Sequence, residues 1–117
     1  MENNLKVKIR IHLFTNSKCY GPGIQEVLEK VDTFGSLRSA AADMNMAYSK
    51  AWKMVKTCEE SLGFKLLISS TGGKNGGGAH LTDEARMFME AYNQYCGEVI
   101  AFSEKLLEKK FGFYKNN

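Results

Sequence analysis

The 117-residue sequence predicts an α+β fold that is mainly helical. Apolar residues recur every three or four positions in three separate stretches and again in a long C-terminal stretch, which is the period of amphipathic helices. A strictly alternating segment opens the chain, and a glycine-rich loop separates two short β-compatible runs. The helical stretches are longer than the β-compatible ones, so helix is expected to dominate.

The composition is that of one globular domain spanning residues 1–117. Hydrophobic residues make up 44% and charged residues 25% of the chain, which are ordinary values for a folded protein with one modest core. No apolar run approaches the roughly 18 residues of a membrane span, and the opening MENNLKVKIR lacks the apolar core of a signal peptide. We expect a cytoplasmic protein with no membrane partner.

The reactive side chains do not form a recognisable catalytic or metal-binding pattern. Cys19, Cys58 and Cys96 are far apart without a CxxC pair, and His12 and His80 are isolated, so neither a disulfide framework nor a zinc site is indicated. Cys58 and Cys96 fall on apolar stripes, as buried thiols do. No paired carboxylates and no nucleophile with a base occur, so an enzyme has little support. We expect no cofactor and no metal.

An N-terminal β-hairpin is predicted over residues 5–20. Apolar and polar residues alternate strictly over residues 5–13, the pattern of a half-buried strand, and His12 is interpreted as one of its solvated residues. A turn at residues 15–17 would let residues 18–20 pair back onto it. The polar face of this hairpin would carry four basic groups.

The first helix is predicted to begin after this hairpin. Gly21, Pro22 and Gly23 end the hairpin, and proline suits the first turn of a helix. The apolar face of the helix consists of Ile24, Val27, Leu28 and Val31. We expect it to pack beneath the two helices that follow.

Two short helices joined by a tight turn are predicted over residues 35–62. Ser36 is an N-cap residue for the first, and the small residues Ala40 and Ala41 on its apolar face allow a second helix to approach closely. Asn45 stands where the turn needs a left-handed backbone. The second helix resumes near Ala47. Its inward stripe is Ala51, Val55, Cys58 and Leu62, flanked by Tyr48 and Trp52.

The outward face of the second helix is basic, and it consists of Ser49, Lys50, Lys53, Lys56, Thr57 and Glu60. Ammonium and hydroxyl groups in this pattern can reach phosphates and base edges in a DNA major groove, although the pattern also fits a solvated surface helix. Residues 36–80 carry six basic and three acidic side chains, whereas the rest of the chain carries ten of each. The net charge of +3 therefore lies in this stretch, which favours nucleic-acid binding.

A glycine-rich hairpin is predicted next. Residues 79–82 can pair with residues 66–69 across a loop that contains five of the eleven glycines. Lys74 and Asn75 would form its tip, where Lys74 could contact a phosphate or the minor groove, although a floppy tip without function is the alternative. Three helices followed by such a hairpin predict a winged helix-turn-helix over residues 22–81.

The same loop does not fit a nucleotide-phosphate cradle. Gly72 and Gly77 have the spacing of a Walker motif, but Gly78 stands where that motif needs a lysine, and GxGxxG is absent. Nucleotide binding is therefore not expected.

A long C-terminal helix is predicted over residues 82–111, with Thr82 as its N-cap. At 1.5 Å per residue it would be about 44 Å long, which is more than so small a domain can cover, so part of it is expected to meet another chain. We predict a homodimer, with a monomer that buries the seam internally as the alternative. After Ala85, the predicted dimerisation seam consists of Phe88, Tyr92, Tyr95, Val99, Phe102 and Leu106.

The segments GPG, GSLRSAAADMNMAYSKAW and STGGKNGGGAHLT, in this order, resemble the N-terminal DNA-binding domain of the ModE-type molybdate-responsive regulators over residues 5–111. A weaker resemblance to the LysR-type DNA-binding head covers residues 36–82. Ala47 replaces a common serine, and Ser49 with Lys50 replaces a common doubly basic pair, so base preference is expected to differ. The chain ends at Asn117, so the oxyanion-binding domains are expected to be missing, and the resemblance does not carry molybdate sensing.

These observations and the resemblance together imply a dimeric, sequence-specific transcriptional regulator that binds double-stranded DNA at an inverted repeat. The alternative is a winged-helix adaptor whose basic face meets an acidic protein. A binding site for a small ligand between the DNA-binding unit and the long helix is a further alternative. The predicted DNA contacts are Ser36, Arg38, Tyr48, Ser49, Lys50, Lys53, Lys56, Thr57, Lys74 and Asn75.

Overall fold

The computed structural model describes residues 4–70 and 78–114. The elements follow one another as β1 (Leu13–Phe14), β2 (Lys18–Tyr20), α1 (Pro22–Phe34), α2 (Leu37–Asp43), α3 (Tyr48–Leu62), β3 (Leu67–Ser70), β4 (Gly78–Leu81) and α4 (Asp83–Phe111). This architecture confirms the predicted mainly helical winged helix-turn-helix. None of the helices in the described ranges has both the length and the apolar character needed to cross a bilayer.

The core lies where α1, α2 and α3 meet. Pro22 occupies the first turn of α1, and Gly35 ends the helix with φ at 82°, a left-handed conformation that suits glycine. The predicted apolar face of α1 is buried, and Ala40 and Ala41 of α2 are also buried, so the backbones approach closely. The buried members of this core from the three helices are Ile24, Val27, Leu28, Val31, Leu37, Ala40, Ala41, Ala51, Val55 and Cys58.

The turn between α2 and α3 forms as the sequence predicts. The Ser36 hydroxyl accepts a hydrogen bond from the Ser39 backbone N–H at 3.0 Å and caps α2. Asn45 adopts φ 54°, the left-handed conformation expected there. Ala47 is the N-cap of α3 and offers no side-chain hydrogen bond, so α3 begins without the cap that a serine would provide.

The wing strands β3 and β4 pair antiparallel, with Leu67 opposite Leu81 and Ser69 opposite Ala79, which is the predicted register. The Thr82 hydroxyl joins the wing to α4, because it donates to the Lys65 carbonyl at 2.6 Å and accepts from the Ala85 N–H at 3.0 Å. The predicted wing-tip contacts Lys74 and Asn75 lie outside the described residues.

The N-terminal strand is much shorter than predicted. Only β1 pairs with β2, with an irregular register between Leu13 and Phe14, and residues 5–12 form no ladder in the described structure. The predicted alternation is still seen in the exposure of the side chains. Val7, Ile9 and Ile11 are half-buried, while the basic residues between them are exposed. The pairing stops because the opposing strand, β2, is only three residues long and α1 begins soon after it. We call residues 5–12 the N-terminal arm.

The predicted seam on α4 divides into two parts. Ala85 and Tyr92 are buried and Phe88 is half-buried, because the rings of Phe88 and Tyr92 contact the buried Tyr20 ring at centroid distances of 4.6 and 5.0 Å. Farther along, the exposed fractions are 57% for Tyr95, 67% for Phe102 and 41% for Leu106. Phe88 and Tyr92, which were predicted for the dimer contact, therefore pack inside their own chain, and the exposed part of the seam begins at Tyr95.

Candidate nucleic-acid interface

The predicted DNA-binding face of α3 is on the surface of the domain. Its inner stripe is buried against α1 and α2, which turns Tyr48, Ser49, Lys50, Lys53 and Thr57 outward, where all five are exposed. Lys56 on the same helix is half-buried. The helix thus presents ammonium and hydroxyl groups on one accessible side, as direct contact with a nucleic acid requires.

The two predicted contacts on α2 have different local roles. Arg38 is exposed, and its guanidinium lies 4.3 Å from the centre of the Tyr48 ring, so a cation–π contact joins the start of α2 to the start of α3. Ser36 is half-buried, and its hydroxyl oxygen is already engaged in capping α2. Arg38 and Tyr48 are therefore available together, whereas the Ser36 hydroxyl is partly engaged in capping its own helix.

The three lysines of α3 are not equivalent. The Lys56 ammonium lies 3.4 Å from a Glu59 carboxylate oxygen and 5.6 Å from the centre of the Trp52 ring. Lys50 and Lys53 form no ion pair in the part of the chain that the structure describes. The positive charge of Lys56 is partly compensated within the protein, so Lys50 and Lys53 offer the stronger attraction for a phosphate.

Two side chains of α3 have roles that sequence reasoning missed. Glu59 is 7% exposed, and its carboxylate accepts hydrogen bonds from the backbone N–H groups of Leu66 and Leu67 at 2.8 and 3.2 Å, which fixes the start of the wing on α3. Glu59 follows Val55 by four positions, so the helical period could have placed it at the edge of the buried stripe. Trp52, expected beside that stripe, is instead 48% exposed and packs under Lys56.

The cysteine of α3 belongs to the core, as the sequence predicts. Cys58 is 1% exposed, and burial, with smaller contributions from Cys19 and Glu59, raises the pKa of its thiol to about 12. The thiol is therefore protonated near neutral pH and does not act as a nucleophile. Across residues 4–70 and 78–114, no three His, Cys, Asp or Glu side chains are placed to hold a metal ion together.

Comparison with known proteins matches residues 25–86 to the family described as bacterial regulatory helix-turn-helix proteins of the lysR family. The transcriptional regulator ModE of Haemophilus influenzae is 30% identical over 89 residues, covering 76% of this chain and 33% of that protein. The molybdenum transport protein ModE of Azotobacter vinelandii is also 30% identical, covering 70% of this chain and 32% of that protein. The chain thus spans about a third of the length of these relatives.

The crystal structure of ArgP from Mycobacterium tuberculosis has a similar fold, with a TM-score of 0.51 and 20% identity over 76% of this chain and 30% of that one. The family match begins within α1 and ends in the first turn of α4, so it contains the helix pair and both wing strands. The ModE relatives confirm the resemblance drawn from the sequence motifs. Because the family match covers more than half of its residues, this chain belongs to the LysR family of bacterial regulatory helix-turn-helix proteins.

Proposed function

We propose that this protein is a DNA-binding transcriptional regulator of the LysR and ModE type, with α3 as its recognition helix. The observation that carries the proposal is the outward face of α3, where Ser49, Lys50, Lys53 and Thr57 are exposed side by side. The names of the ModE relatives and of the family support the same role. A regulator of this kind acts on chromosomal DNA, so we also infer a cytoplasmic location.

Within this proposal the α3 side chains divide the work of binding. Lysine and arginine attract phosphates at any sequence, whereas hydroxyl groups and lysines that enter the groove can also reach base edges. We assign Ser49, Lys50, Lys53 and Thr57 to the major groove and the Arg38–Tyr48 pair to the adjacent backbone. Lys56 contributes less, because Glu59 compensates its charge. Lys74 and Asn75 remain proposed contacts of the wing tip.

We further propose that two copies of the chain bind DNA together through the exposed part of α4. Tyr95, Phe102 and Leu106 are exposed on one side of a helix that extends well past the core, with Val99 half-buried between them. A two-fold dimer on this stripe would present two recognition helices to an inverted repeat. The proposed function is limited to DNA binding and does not include molybdate sensing.

The experiment that tests DNA binding is titration of the purified protein with fragments of its own genome and with sequences selected from random DNA. We expect selected sequences to contain an inverted repeat, and affinity to fall steeply as salt is added. Lys53→Glu should weaken binding to every sequence by about 10-fold or more, because it removes a phosphate contact and repels the backbone.

The matched control is Lys8→Glu, which makes the same charge change on an exposed residue of the N-terminal arm, outside both α3 and the proposed dimer contact. It should change affinity much less than Lys53→Glu does. Absence of salt-dependent binding to any fragment by the wild-type protein would refute the proposal, and equal effects of the two variants would remove α3 from it.

A second candidate function is a winged-helix adaptor that binds an acidic protein. Tyr48 and Trp52 are exposed by 39% and 48% beside the basic residues of α3, and exposed aromatic side chains are common anchors of protein interfaces. Tight, DNA-independent capture of one acidic protein, lost on Trp52→Ala, would favour this candidate over DNA binding.

A further inference from the structure

A second basic surface lies beside the recognition helix. The N-terminal arm, β2, the start of α1 and one side of α3 enclose an open cleft of about 430 Å³. Its floor includes the buried Tyr20 and Ile24 and the half-buried Met54. Its rim carries Arg10, His12, Lys18, Lys50, Lys53 and Thr57, all of which are exposed.

The charge of this cleft is of one sign. Arg10, Lys18, Lys50 and Lys53 contribute four positive charges, and no carboxylate is among the residues that line it. None of the four forms an ion pair with another described residue, whereas Lys30 lies 2.7 Å from Asp43 and Lys56 lies 3.4 Å from Glu59. Positive groups around a concavity reinforce one another's potential, so the cleft attracts anions more strongly than isolated surface lysines do.

The backbone that carries Arg10 and Lys18 is held in place. The Tyr92 hydroxyl donates a hydrogen bond to the Ile11 carbonyl at 2.7 Å, next to Arg10. The His12 ring packs against the backbone of Gly21, where an added Cβ would come within 2.4 Å of its Nδ1 atom. Lys18 itself lies opposite Phe14 in the β1–β2 pairing. The two cations outside α3 are therefore presented from anchored backbone, which reduces the entropy lost when they bind a partner.

We propose that the cleft binds the sugar-phosphate backbone of DNA at the edge of the major groove that α3 enters, so that the N-terminal arm is a DNA contact in its own right. This inference rests on the proposed function. Lys50, Lys53 and Thr57 belong both to the cleft and to the outward face of α3, so a duplex on that face brings its phosphates to the mouth of the cleft. Contacts of this kind position a protein on DNA without selecting a sequence.

The test is the double variant Arg10→Ala/Lys18→Ala, with DNA affinity measured over a range of salt concentrations. Removing two phosphate contacts per chain should weaken binding by about 10-fold or more near physiological salt. It should reduce the slope of log K against log salt by about 1.8 for each bound chain, which is about 3.6 for the proposed dimer. The ratio of the affinity for a selected sequence to the affinity for random DNA should stay constant. Both residues are exposed, so the variant should fold, which circular dichroism verifies.

The matched control is Lys6→Ala/Lys8→Ala, which removes two positive charges from the same arm at residues that do not line the cleft. Its effect on affinity and on the salt slope should be clearly smaller. Equal effects of the two double variants would overturn the inference, because they would reflect net charge alone. So would an unchanged affinity of Arg10→Ala/Lys18→Ala while Lys53→Glu still weakens binding, and that result would leave the proposed function standing.

A further binding measurement distinguishes DNA phosphates from a free anion as the ligand of the cleft. Inorganic phosphate and benzoate are titrated into the DNA-free protein at constant ionic strength, and we expect no binding below millimolar concentration. Submillimolar binding of either anion, abolished by Arg10→Ala/Lys18→Ala, would assign the cleft to a small anion and overturn its assignment to DNA. If the wild-type protein did not bind DNA at all, that result would instead refute the proposed function.

Discussion

The two halves of α4 carry the same apolar period but have different surroundings. We divide the helix where the exposed part of the seam begins, so that the first half is residues 83–94 and the second half is residues 95–111. In the first half Ala85 and Tyr92 are buried, whereas in the second half Tyr95 and Phe102 are more than half exposed. The heptad-like spacing continues across this division without a break. A helical period therefore shows which residues share a face, and it does not show whether the same chain or another one covers that face.

The first half of α4 is covered by aromatic and polar groups of its own chain. The Tyr20 ring packs against Phe88 and Tyr92, and the Tyr20 hydroxyl donates a hydrogen bond to the Gln25 side-chain carbonyl. Gln25 in turn donates to the Met89 carbonyl at 3.1 Å, which connects α1 to α4. Burial raises the pKa of Tyr20 far above its usual range and that of Tyr92 to about 12, so both hydroxyls keep their protons.

The second half of α4 extends beyond the core. The molecule measures 60 Å along its longest axis and 21 Å along its shortest, which is far from the compact shape usual for a domain of this size. Only part of this half meets the N-terminal arm, where Leu5 and Val7 share a groove with Leu107 and Phe111. The exposed stripe that is left is the surface we propose for the second copy.

The largest effect should follow from truncation in the first half. Tyr92→Ala removes a buried ring and the hydrogen bond to Ile11, so we expect a loss of about 3–5 kcal/mol in the free energy of unfolding, measured by urea denaturation. Tyr95→Ala, three residues farther along, should change it by less than about 1 kcal/mol at protein concentrations where the chain is monomeric. Similar losses for both variants would contradict the division of α4.

Much of the fold could be predicted from the sequence, because it depends on interactions between residues that are close together in the chain. Ser36 and Thr82 cap their helices, Asn45 takes the left-handed turn, and Pro22 opens α1, because each depends on neighbours only a few residues away. The wing register follows for the same reason, since its two strands are close in the chain.

The features that sequence reasoning missed depend on contacts between distant segments. Phe88 and Tyr92 are buried because Tyr20, about 70 residues earlier, lies against them. The alternation of residues 5–13 predicts a strand, yet a segment needs a partner of equal length to build a ladder, and β2 has three residues. The cleft beside α3 was missed likewise, because Arg10 and Lys53 meet only in the folded chain.

An intermediate effect should follow from a charge in the second half of α4. Phe102→Asp places a carboxylate on the proposed dimer contact and removes an aromatic side chain, so we expect the dimer dissociation constant to rise by about 30-fold or more, equivalent to about 2 kcal/mol. Analytical ultracentrifugation measures this change, and circular dichroism should show an unchanged fold.

Met87→Asp is the matched control for this substitution, since Met87 is 73% exposed in the first half of α4 and lies off the seam. It should leave the dissociation constant unaltered. A dimer that tolerates Phe102→Asp as well as it tolerates Met87→Asp would place the contact between copies elsewhere.

The smallest effect concerns an exposed ion pair that fastens the first half of α4 to α1. The Arg86 guanidinium contacts the Asp32 carboxylate at 2.8 and 3.3 Å, and its hydrogen bonds lower the pKa of that carboxyl. A carboxyl that ionises more readily in the folded state stabilises the fold above its ordinary pKa, and this contribution is lost as the pH falls through the lowered value. Because both side chains are about half exposed, the contribution should be small and weakened by salt.

The pair can be isolated by comparing Asp32→Asn with wild type across the acid range. Asp32→Asn should be less stable near neutral pH, and the difference in the free energy of unfolding should shrink as the pH falls through the lowered pKa of the wild-type carboxyl. A difference for Asp32→Asn that persists at low pH would mean that the Asp32 side chain acts through packing, and its ion pair with Arg86 would then not be what fastens this part of α4 to α1.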